Sequence, residues 1–206
     1  MSLERFKYNH PKHEPMDTGI DIFRDIMDNV KKSKKINKNE VIKMSVRTGE
    51  NLRIAIEEIE QRYEISQRKA TIAMVEYGTW WIYTKYHQKI ADIYEYREKI
   101  RHAKIDKPDS LYNSVACRLM DSLKVYVNDL TNIKPINVSL WRKDYDYLGG
   151  VARALSSDLS SILRLTMYVA ADAEGIKLFE GEITRFVQSL DINKKILEML
   201  QGLLEC

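Results

Sequence analysis

Lys31, Lys32, Lys34, Lys35, Lys38, Lys43 and Arg47 fall in one segment, residues 31–47, that holds a single acid, Glu40. Cations at this density mark the place to look for a polyanion partner, although such runs are more often simply solvated, and a basic arm would add salt-sensitive affinity without demanding a sequence. Within the segment, Lys43, Ser45 and Arg47 alternate with Ile42, Met44 and Val46. An extended backbone puts the two cations and the hydroxyl on one face and the three apolar side chains on the other. Other groups offer less. His10 and His13 sit in an aperiodic stretch with no downstream partner at metal-ligand spacing. Asp144 and Asp146, in Asp-Tyr-Asp-Tyr, are alternating carboxylates of a kind usually found on plain surfaces, as are Asp172 and Glu174. The chain has no phosphate-binding glycine loop, no HExxH and no GxSxG. No catalytic residue, metal site or cofactor is expected.

The elements that must position the basic segment are mostly helical. The 206 residues include only 8 Gly and 4 Pro, with 44% hydrophobic and 31% charged residues. That excludes wholesale disorder and disfavours turn-rich β folds. Residues 1–110 carry 22 Lys/Arg against 18 Asp/Glu, and residues 111–206 carry 11 against 12, so the basic excess is N-terminal. No apolar run is long enough for a membrane span. Cys117 and Cys206 stand apart in no motif, which fits a reducing, cytoplasmic setting. Residues 1–18 read as a loose arm. Ile22, Ile26 and Val30 mark an amphipathic helix over 19–32, with lysines at its C-terminal end where they suit the dipole. A polar linker, 33–40, leads to the strand at 41–47, the only one expected. Thr48 is a candidate cap for a helix with Leu52, Ala55, Ile56, Ile59 and Tyr63 on one stripe. After a break at 64–66, Ser66 can cap a second helix, which runs on toward residue 104 or breaks near Gly78. The aromatic stretch Trp80, Trp81, Tyr83, Tyr86, Tyr94 and Tyr96 is expected to pack between helices rather than stack on bases. Beyond residue 105 the reading is all-α. It has a helix over 111–130, a loop over 131–139 and one or two helices over 140–175 divided at Gly149-Gly150. Two more helices follow, over 176–190 and 192–205.

The order of short alternating strand, helix, tight turn and helix in residues 41–78 resembles the ribbon-helix-helix DNA-binding domain of the Arc/MetJ type. The resemblance implies a strand paired antiparallel with the same strand of a second copy, the resulting ribbon entering the DNA major groove. It places Lys43, Ser45 and Arg47 where the family has its base readers. Lys and Arg donate to guanine O6 and N7, and Ser suits either kind of base edge. It places Ser66, Gln67 and Arg68 at the helix start that sits on a phosphate in that family. Ala70-Thr71 stands where the family often has a bulkier aliphatic pair.

The expected fold class is therefore mainly α: an N-terminal ribbon-helix-helix with one strand per chain, plus an all-α C-terminal domain. The divisions are an arm and basic linker at 1–40, a DNA-binding domain at 41–104 and a helical domain at 105–206. The expected function is sequence-specific binding of double-stranded DNA by a homodimer or higher oligomer that regulates transcription. Lys43, Ser45, Arg47, Ser66, Gln67 and Arg68 would make the contacts, with Lys34 and Lys35 adding phosphate contacts. The helical domain leaves room for a protein or small-molecule effector. Two alternatives share the pattern: a helical scaffold without nucleic-acid binding, and a plasmid or virus maintenance factor.

Overall fold

The structure, a computed structural model, describes residues 19–33, 40–106, 115, 118–119, 123 and 132–204. Among these residues the chain is mainly helical, with six helices and one two-stranded antiparallel sheet. The order is α1 (Gly19–Lys32), β1 (Val41–Thr48), α2 (Glu50–Tyr63), α3 (Gln67–Asp106), β2 (Lys134–Trp141), α4 (Arg142–Ala154), α5 (Leu159–Ala173) and α6 (Glu180–Leu204). No helix among the described residues is long and apolar enough to cross a membrane.

A 14-residue helix is marginal alone, so α1 must draw its stability from packing. Ile22, Phe23, Ile26, Met27 and Val30 are all buried, each contributing on the order of 1.5–3 kcal/mol. Asp21, Asp25 and Asp28 face water, as their spacing predicts. In α2, Leu52, Ala55, Ile56 and Ile59 form the buried stripe. Its N-cap is Gly49 without a side-chain bond, because Thr48 still belongs to β1. The helix ends at Glu64 in the left-handed region (φ 52°), and the Ile65 N–H returns to the Glu60 carbonyl at 3.1 Å. That pattern closes the helix without a glycine.

The central element is α3. Its 40 residues span about 60 Å, and α1, α2, β2, α4, α5 and α6 all pack on it. Gly78 does not break it. A Cβ at Gly78 would lie 2.3 Å from Thr166 Cα, so the missing side chain lets α3 and α5 cross backbone to backbone. Thr79 donates its hydroxyl back to the Val75 carbonyl at 2.7 Å, one turn earlier in the same continuous helix. The aromatic stretch packs between helices. Trp81 meets Tyr86 at 4.8 Å between centroids, Tyr83 meets Tyr147 of α4 at 5.8 Å, and Tyr86 meets Phe186 of α6 at 6.2 Å.

The C-terminal half departs from the sequence reading in three places. Residues 134–141, expected as loop and helix start, form β2, so this half is not all-α. Gly149 and Gly150 lie inside α4, and the division falls at 155–158, where Ser156 adopts φ 49°. There Asp158 accepts the Ser161 N–H at 2.8 Å and the Ser161 hydroxyl at 2.7 Å, fixing the start of α5. Burial works to raise the Asp158 pKa, but these bonds and nearby Arg164 outweigh it and hold the carboxyl below its ordinary value. The two expected terminal helices are one, α6. The helix expected over 111–130 lies largely outside the described residues, as do Cys117, Cys206, His10 and His13. One buried cluster draws on both sides of residue 105: Ile72 and Val75 of α3 share it with Leu163 and Met167 of α5 and Phe186 of α6.

His87 of α3 lies against Tyr83 (4.8 Å) and Tyr147 (6.2 Å), and burial lowers its pKa below the ordinary 6.5. The neutral imidazole is therefore favoured by folding. Its contribution is complete above the unfolded value and is lost as pH falls through 6.5 toward the lower folded value. In thermal melts between about pH 8 and about pH 5, His87→Leu is expected to lose less stability on acidification than the parent protein. Identical pH profiles would show that His87 does not contribute.

Candidate nucleic-acid interface

The β1–β2 ribbon is built by alternation in both strands. Ile42, Met44 and Val46 of β1 share one face with Leu140, Val138 and Ile136, their opposite numbers in β2. Val46, Ile136, Val138 and Leu140 are buried, so this face seats the ribbon on the helices. The other face carries the pairs Lys43–Ser139, Ser45–Asn137 and Arg47–Pro135. Of these, Lys43, Ser45, Arg47, Pro135 and Asn137 are exposed.

The backbone groups of this outward set point away from the ladder. The Ser139 N–H donates to Thr71 Oγ1 of α3 at 3.1 Å, and the Arg47 carbonyl accepts from Arg164 Nη1 of α5 at 2.9 Å. Pro135, with no N–H to offer, occupies a position in the same set where none is needed. The ribbon is thus stitched to α3 along β2 and to α5 along β1. At its Thr48 end, Arg53 Nη1 of α2 donates to the Thr48 and Asn132 carbonyls, both at 3.0 Å. At the other end the Arg142 N–H donates to the Glu40 carbonyl at 2.7 Å.

This geometry corrects the expected strand partner. The ladder mate of residues 41–48 is β2 of the same chain, not the same strand of a second copy. The alternation Ile136-x-Val138-x-Leu140 marks β2, but Pro135 just before it and Asn137 within it read as loop.

Lys43, Ser45 and Arg47 do form one exposed row, with side chains about 6.5–7 Å apart along the strand. Among the described residues, neither Lys43, Arg47 nor the exposed Lys134 has an ion-pair partner. By contrast, Arg53 and Arg164 are committed to backbone carbonyls. The Ser66 carbonyl accepts the Lys69 and Ala70 N–H groups at 2.8 and 3.0 Å, which puts Ser66 at the start of α3. Ser66 and Gln67 are exposed, and Arg68 is half-buried. Lys69 is spent on the Lys31 carbonyl at the end of α1, at 2.8 Å. Thr71, one turn beyond Arg68, meets β2, so this helix start flanks the β2 side, about two strand spacings or 10 Å from β1. Lys34 and Lys35 lie outside the described residues. Sequence reasoning missed Asn137 and Lys134, which only the register brings beside Ser45 and Thr48.

No three His, Cys, Asp or Glu side chains among the described residues gather as a metal site. No family model, no curated protein and no solved structure matches the chain.

Proposed function

We propose that this protein is a non-enzymatic regulator that binds double-stranded DNA through the outward face of its β1–β2 ribbon. The observation that carries the reading is the exposed row Lys43, Ser45 and Arg47 with Asn137 beside Ser45, on a ribbon whose other face is buried. A two-stranded ribbon matches the width of the major groove. Arg47 and Lys43 are donors for guanine, and Asn137 has the amide that pairs bidentately with adenine. Arg68 on the β2 side, and Lys134, exposed at the Thr48 end although on the other face of its strand, would hold phosphates at the margins. Since one chain completes the ribbon, one chain is the reading unit. A second copy serves in this reading to add a second half-site, not to supply a strand.

A mobility shift on mixed double-stranded fragments at moderate salt, followed by selection of a preferred site, tests this. Arg47→Ala and Asn137→Ala are each expected to cost about 1–3 kcal/mol on the selected site and to relax preference at one base pair. Lys134→Ala is expected to weaken all fragments alike and to flatten the salt slope by about 1. Equal binding by the parent protein and the Lys43→Ala/Arg47→Ala double variant removes the ribbon from the interface.

One observation favours a helical scaffold instead. Ile192 and Met199, seven residues apart on α6, are 55% and 70% exposed. On that reading no fragment shifts at any salt, and charge substitutions at these two positions abolish an association with protein.

A further inference from the structure

We propose that a cleft at the Glu40–Arg142 end of the ribbon binds a small, flat aromatic anion. The cleft encloses about 520 Å³ between the end of α1, α3 and the junction of β2 with α4. That volume lies in the range of small-molecule sites. One wall is the half-buried ring of Trp141, the last residue of β2. Its orientation is fixed, because the indole Nε1–H donates to Glu76 Oε2 at 2.8 Å. A ring pinned in this way offers a stacking surface with little entropy left to lose. Val30 of α1 adds apolar surface on the lining.

The charges decide the sign of the ligand. Glu76, with its side chain 13% exposed, has its second oxygen bonded by Lys143 Nζ at 3.0 Å, so its charge is met within the wall. Glu40, the other acid of the lining, is itself engaged. Arg142 is exposed and, among the described residues, has no ion-pair partner. Arg142 is thus a cation of the lining open to a ligand, and its planar fork suits a carboxylate. A ring against Trp141 with its carboxylate at Arg142 uses both features, and the inference stands independently of DNA binding.

The full-length protein, titrated calorimetrically with 2-naphthoate and with the neutral 2-naphthamide, tests the proposal. Saturable one-site binding of 2-naphthoate is expected, with the amide about tenfold weaker or worse. Arg142→Ala, an exposed change that leaves the fold intact, is expected to erase that preference, and Trp141→Leu to abolish binding. The absence of saturable 2-naphthoate binding, equal binding of acid and amide, or an unchanged preference in Arg142→Ala overturns it.

Discussion

Arg97→Ala is expected to lose about 3–5 kcal/mol of folding stability, a large part of what a domain of this size has. Among the described residues Arg97 is the largest fully buried side chain, at 1% exposure. Its Nη1 donates to the Ser156 hydroxyl in the turn between α4 and α5. Its Nη2 donates to the Leu123 carbonyl at 2.6 Å and to Asn193 Oδ1 of α6 at 3.1 Å. Asn193 is held in turn by its own bond to the Ser189 carbonyl at 2.8 Å. One guanidinium therefore ties α3 to three separate segments. Removing it strands the buried Asn193 acceptor and two half-buried ones, at up to about 1–3 kcal/mol each, and opens a cavity. Arg97→Met refills much of the volume but supplies no donor. It is expected to fall between the parent protein and Arg97→Ala in urea denaturation, and the gap between the two variants measures the cavity. A loss below about 1 kcal/mol in Arg97→Ala would mean that water reaches these acceptors.

Gly78→Ala is the second large effect, and its sign is diagnostic. In an ordinary helix interior, alanine is about 1 kcal/mol better than glycine. Here the new methyl carbon meets Thr166 Cα at 2.3 Å, with Thr166 Cβ and the Thr166 carbonyl oxygen both at 2.4 Å. Backbone cannot rotate aside as a flexible side chain can, so α3 and α5 must separate. The expected outcome is a net loss of about 1–3 kcal/mol or more, read as a lowered denaturation midpoint. Thr166→Ala should not rescue the variant, because two of the three clashing atoms belong to the backbone. A neutral or stabilising Gly78→Ala refutes the close crossing.

These two residues show where the sequence was legible and where it was not. The α1 stripe of Ile22, Ile26 and Val30, the α2 stripe and the alternation of β1 are local periodicities, and the elements follow them. Gly149-Gly150 read as an interruption, and Gly78 left the continuity of its helix open, because glycine is intrinsically poor in helices. What retains them in helices is tertiary: the α3–α5 crossing for Gly78, and the packed interior of α4 for Gly150. The outward row Lys43, Ser45 and Arg47 was readable from period two alone. Its neighbour Asn137 was not, since no local pattern states which strand pairs with which. The expected partner was a second copy because a lone strand needs a mate, and the mate inside the chain was disguised by Pro135.

Thr48 and Lys134, opposite one another in the ribbon, are 86 positions apart. During synthesis at about 5–20 residues per second, β1 leaves the ribosome roughly 4–17 seconds before the residues that will zip to it. Helical turns form in microseconds, so the wait for β2 is set by synthesis and not by helix formation. Throughout that wait Ile42, Met44 and Val46 make a sticky, high-contact-order segment with open edges. Lys43 and Arg47 interrupt it with like charge, as gatekeepers do beside aggregation-prone strands. The cations that face outward in the finished ribbon thus also put like charge into the segment that has to wait.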